Sequence, residues 1–120
     1  MWLCASKDRL NSVLRMLQFM RQCDDVPPVA LMVDAHPGQD LYRQVQWPDH
    51  WRVYYADTPL EWVRALNELL ARHPDEPWYG ILPDHARPVT PKWSEQLIAA
   101  SCGGFANAAI NVYEPHITPQ

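Results

Sequence analysis

Asp84 and His85 are the residues whose types and placement could do chemistry in this chain. They follow Trp78-Tyr79-Gly80-Ile81-Leu82-Pro83, an aromatic and apolar run that reads as a strand. Behind them, Thr90-Pro91 predicts a new helix, because proline is preorganised for a first helical position. An acid and an imidazole at a strand's C-terminal tip is how an α/β sheet presents polar groups to a ligand. The carboxylate suits a hard divalent cation, whereas the imidazole is softer and neutral. His36, His50 and His73 fall in turn segments without ligand spacing, and His116 sits in a proline-rich tail. Glu95 and Glu114 read as solvated charges on a helix face and at the tail's edge, so no general base is assigned. No G-x-S-x-G elbow, phosphate-cradling P-loop or H-E-x-x-H pattern is present.

The elements that must position Asp84 and His85 alternate between strand and helix, which predicts a mostly parallel sheet. Residues 1–5 form a first strand. Leu10, Val13, Leu14, Leu17 and Met20 recur at helical spacing, with Asp8 as the expected N-cap. Residues 29–33 are a continuous apolar run, as in a buried strand, and end at Asp34. His36-Pro37-Gly38 opens a loop with a helical turn around Leu41, and residues 51–56 form a third strand. Thr58, Pro59 and Glu61 predict a capping box for a helix whose apolar face is Trp62, Val63, Leu66, Leu69 and Leu70. That helix ends at His73-Pro74. A last helix carries Trp93, Leu97 and Ile98 and stops at Cys102-Gly103-Gly104, and residues 106–113 are expected as a final strand.

At 120 residues, 48% hydrophobic and 20% charged, the chain is expected to form one soluble domain over residues 1–120. A formal charge of −4 without a Lys/Arg run gives no footprint for nucleic acid or for an anionic membrane. Lys7, Asp8 and Arg9 interrupt the N-terminal apolar stretch before it reaches signal-peptide length, so the expected compartment is the cytoplasm. Cys4, Cys23 and Cys102 make no C-x-x-C pair and are expected to be buried, reduced thiols.

In order along the chain, Leu3-Cys4-Ala5-Ser6-Lys7-Asp8-Arg9, the strand ending at Asp34, Ala65-Leu66-Asn67-Glu68-Leu69 and residues 78–93 resemble the nucleotide-binding half of GT-A nucleotide-sugar glycosyltransferases. Short bacterial and phage members are the nearest in kind. The resemblance runs to about Ser101 and rests on the order of short motifs. It implies a Rossmann-like half-domain, with the acceptor-binding half missing from this chain.

The resemblance further implies that Arg9 neutralises phosphate or holds the base, that Asp34 accepts hydrogen bonds from base or ribose, and that Asn67 lies near the nucleotide. Bland readings stand beside these: a solvated helix-start arginine, a turn-capping aspartate, and an amide bonded to a neighbouring loop. Asp84 would take Mn²⁺ or Mg²⁺ bridging the diphosphate. His85 stands where the family has a second aspartate, a departure that weakens the site and favours Mn²⁺.

Two functions from different classes follow. The first is a glycosyltransferase-like domain that binds a nucleoside-diphosphate sugar, with transfer completed by a partner or a second subunit. The second is a non-catalytic phage or mobile-element protein that uses the degenerate half-domain to bind and inhibit a host protein. Self-association is expected under either, since the missing half would leave a sheet edge or face to cover.

Overall fold

The computed structural model describes residues 1–101. The expected strand at 106–113, the Cys102-Gly103-Gly104 stop, Glu114 and His116 lie outside the described residues. Eight elements alternate: β1 (Trp2–Ser6), α1 (Leu10–Gln22), β2 (Val29–Val33), α2 (Gln39–Arg43), β3 (Arg52–Tyr55), α3 (Glu61–Arg72), β4 (Gly80–Ile81) and α4 (Trp93–Ser101). The strands form one four-stranded sheet, all parallel, in the order β3-β2-β1-β4. The class is α/β, with the topology of a Rossmann-like half.

Alternation along the strands divides the core between the two faces of the sheet. Trp2, Cys4, Val29, Leu31 and Val33 pack with Val13, Met16, Leu17 and Met20 of α1, Tyr42 of α2 and Trp93 of α4. Leu3, Ala30 and Met32 point the other way, onto Ala65, Leu66 and Leu69 of α3. β2 is buried at every position, as a central strand covered on both faces must be. Cys4 and Cys23 are buried free thiols, and burial raises the pKa of both.

The starts of α1, α3 and α4 all differ from the sequence expectation. Asp8 is not the N-cap of α1: it takes a left-handed φ of 54°, its N–H donates to His36 Nε2, and Arg9 occupies the cap position. Thr58 does not cap α3 either. The helix begins two residues beyond Pro59, and Asp34 at the end of β2 accepts the N–H groups of Leu60 and Glu61 at 2.7 and 3.0 Å. Likewise α4 starts at Trp93 rather than Thr90-Pro91, with Asp25 Oδ2 accepting from Ser94 and Glu95. Orphan N–H groups at a helix start donate to any well-placed carboxylate, and for α3 and α4 the carboxylates come from residues distant in the chain.

The face of α3 also differs. Leu66 and Leu69 pack inward as expected, but Trp62, Val63 and Leu70 are exposed, at 54, 61 and 39%. Ala65 takes the inward position instead, because the helix approaches β1 and β2 over a small residue. On α4, Trp93 is buried and Leu97 half-buried, while Ile98 is exposed.

Candidate functional site

In a parallel sheet ordered β3-β2-β1-β4, the chain winds outward from β1 in one direction and then returns to its other side. The strand tips separate at that reversal and leave a crevice where ligands bind. β1 and β4 flank it here, and a cleft of about 320 Å³ opens at their C-terminal ends, lined among others by Ser6, Lys7, Arg9, Glu61, Trp62 and Asp84. Ala5 and Ala65 also line it, and their small side chains leave the volume open.

Asp84 is 7% exposed and joins the strand tips through a directed chain of hydrogen bonds. Its carboxylate can only accept, so Ser6 Oγ donates to Oδ2 at 2.9 Å. Ser6 Oγ must then accept from Tyr42 Oη at 2.8 Å, and Tyr42 in turn accepts the Arg9 N–H at 2.9 Å. Each donor polarises the next, and the chain ends on the negative charge. Burial raises the Tyr42 pKa, which keeps the phenol protonated and able to donate.

On the other carboxylate oxygen, Arg9 Nε and His85 Nδ1 both stand 3.6 Å from Asp84 Oδ1. The Arg9 side chain is about half exposed and can swing toward a ligand without leaving the cleft. Among the described residues no three His, Cys, Asp or Glu side chains gather to hold a metal ion. Asp84 and His85 therefore offer two ligands at most, and Arg9 competes for the same oxygen. A cation held there by these two residues would take its remaining oxygens from water or a bound ligand.

Asp34 lines the same cleft, but its oxygens are already taken. Oδ1 accepts from Ala35 and Leu60, and Oδ2 from Glu61. Burial pushes its pKa upward, but the three backbone N–H groups and Lys7 outweigh that, and the net shift is downward. Beyond the local bond to Ala35, these make Asp34 a cap for the start of α3, twenty-six residues on, rather than only a cap for the turn ahead of His36-Pro37-Gly38. Asn67 does not join the group. It is exposed on α3, six residues past Glu61 and so about 9 Å farther along the axis. Of the expected residues the fold thus gathers Arg9, Asp34, Asp84 and His85.

Tyr42 and Trp62 are not legible in the sequence as site residues, and Ser6 and Lys7 are reached only as part of the segment leading to Arg9. Ser6 stands at a strand tip in the segment flagged before α1, a usable signal. Tyr42 lies in a short helix without periodicity, and Trp62 looked like a core residue at helical spacing. His36 also braces the site: Nε2 accepts the Asp8 N–H at 3.1 Å, so Nδ1 carries the proton and donates to the Asp34 carbonyl at 2.7 Å.

No helix among the described residues is long and apolar enough to cross a membrane. Comparison with protein-family models, curated proteins and solved structures returned no match.

Proposed function

We propose that the chain is a glycosyltransferase-like domain of the GT-A kind that binds a nucleoside-diphosphate sugar in the strand-tip cleft, with sugar transfer completed by a partner or second subunit. The observation that carries this reading is the reversal of strand order at β1/β4 with Lys7, Arg9, Trp62 and Asp84 around one crevice. Lys7 and Arg9 supply positive charge for a diphosphate, Arg9 through a planar fork. Trp62, half exposed at the rim, offers an indole face for a nucleobase. A Mn²⁺ or Mg²⁺ ion would be held by Asp84 and His85 together with diphosphate oxygens, and would neutralise charge on the leaving diphosphate.

The test is thermal unfolding with UDP-, GDP-, ADP- and TDP-sugars, each with and without Mn²⁺. Ligand at a hundredfold its Kd is expected to raise Tm by roughly 10 °C. Trp62→Ala should weaken binding about tenfold or more, the scale of one base–aromatic stack. Asp84→Asn separates two roles for the carboxylate. If Asp84 holds metal, the variant loses the Mn²⁺-dependent part of the shift; if it chiefly holds Arg9, metal-free binding strengthens as the guanidinium is released. A folded protein indifferent to every nucleotide sugar overturns the proposal.

A second reading has one observation in its favour: Trp62, Val63 and Leu70 leave apolar surface on α3, and Tyr79 and Ile81 do so around β4. These would serve a phage or mobile-element protein that binds a host protein, or a second copy of the chain. Under it, Val63→Asp abolishes partner capture or self-association, while Asp84→Asn leaves them unchanged.

A further inference from the structure

A second concavity lies on the outer side of α1, apart from the strand-tip cleft and lined by none of the same residues. It measures about 530 Å³ and is walled by Asn11, Ser12, Leu14, Arg15, Gln18 and Arg87. Asn11, Arg15 and Gln18 follow one another at spacings of four and three, so one stripe of α1 presents two amides and a guanidinium to it. Arg87, in the segment after β4, closes the opposite wall.

Arg87 is built into place by neutral partners. Its Nη1 donates to the carbonyls of Ser12 and Ala86 at 3.1 and 2.8 Å, and its Nη2 to Ser12 Oγ at 3.1 Å. None of these cancels its charge. Asp84, the described acid whose charge favours the Arg87 cation, is already engaged by Arg9 and Ser6. Arg15 is exposed and makes no ion pair among the described residues. Burial, and then repulsion from Arg15, lowers the Arg87 pKa, as expected for two cations facing one groove without an acid between them. Among the described residues no carboxylate lines the groove.

We propose that this groove is an anion site for a phosphoryl group, either free phosphate or the monoester of a small molecule. Two guanidiniums match the charge of a dianion and its several acceptor oxygens, and the flanking Asn11, Gln18 and Ser12 supply neutral donors. The volume exceeds what phosphate alone fills and lies within the range of small-molecule sites. A nucleic-acid backbone is disfavoured, since a chain of net charge −4 offers here two cations rather than a track of them.

The test is amide NMR of the whole chain titrated with inorganic phosphate and, in a second arm, with a hexose monophosphate, at constant ionic strength. Both ligands should shift the amides of residues 11–18 and Arg87, and tighter binding of the monoester identifies it as the ligand. Arg15→Gln removes a side chain that holds nothing else in place and should weaken binding about threefold to tenfold. Arg87→Lys keeps the charge but loses the fork, and should also weaken it. Shifts confined to Ser6, Lys7 and Trp62, or affinity unchanged in Arg15→Gln, overturn the proposal. The outcome is independent of nucleotide-sugar binding, which reads out at the other cleft.

Discussion

Asp34→Ala is expected to lower the unfolding free energy by about 2–3 kcal/mol at neutral pH, the scale of losing a helix cap together with charge-assisted bonds to partly buried donors. Asp34 is 3% exposed, and its two oxygens satisfy the N–H groups of Ala35, Leu60 and Glu61. Alanine leaves the first turn of α3 without that acceptor, and Glu61, whose N–H donates to Asp34 Oδ2, stands there at a left-handed φ of 64° that is costly for a residue with a Cβ. Because α3 covers one face of β1 and β2, the loss reaches the sheet rather than fraying one helix end.

The same bonds set a pH signature. They depress the folded-state pKa of Asp34 below its unfolded value, which is about 3.9. The stability Asp34 contributes is therefore fully present above that unfolded value and is lost as pH falls through the folded pKa. Urea unfolding of wild type and Asp34→Ala should show a constant gap from pH 7 to 5 and a narrowing one below about pH 4. A gap that persists undiminished at pH 2 would mean the carboxylate charge is not what stabilises the cap.

Gly80→Ala is expected to destabilise the protein by about 2–3 kcal/mol, as overpacking of a rigid site does. A Cβ at Gly80 would lie 2.3 Å from Trp2 Cζ3 and 2.4 Å from Cε3. The indole cannot yield easily. Its Nε1 donates to Ser94 Oγ at 2.8 Å, and its ring packs against Trp78 and Trp93 with centroids 5.4 and 5.2 Å away. Trp2 and Gly80 are register partners across β1 and β4, so the clash falls on the strand pair that frames the cleft. The check is a double-mutant cycle: in a Trp2→Leu background the cost of Gly80→Ala should largely vanish. Equal costs in both backgrounds would mean that the contact with Trp2 is not what makes alanine unfavourable there.

Both sites show how little of the outcome lay in local pattern. Gly80 reads in sequence as one apolar-strand residue among others; that it must be glycine follows from an indole seventy-eight positions away. Asp34 reads as a turn aspartate ahead of His36-Pro37-Gly38, and its helix-capping role needs α3 to dock first. Trp62 fits an amphipathic wheel as well as Leu66 does. Its exposure was decided by the approach of Ala65 to the sheet, which no wheel contains.

By itself the sequence determined the alternation of strand and helix, the buried central strand at 29–33, and the delivery of Asp84 to a strand tip. Those features are written in short-range periodicity, and hydrophobic burial enforces them wherever the elements come to rest. Tertiary structure alone decided the strand order, the joining of Ser6, Tyr42, Arg9 and Asp84 into one directed network, and the capping of α3 and α4 by Asp34 and Asp25. Hydrogen bonds and ion pairs act over a few ångströms, so which polar groups meet depends on how the elements dock, and residues far apart in the chain carry no local mark of the partner they will find.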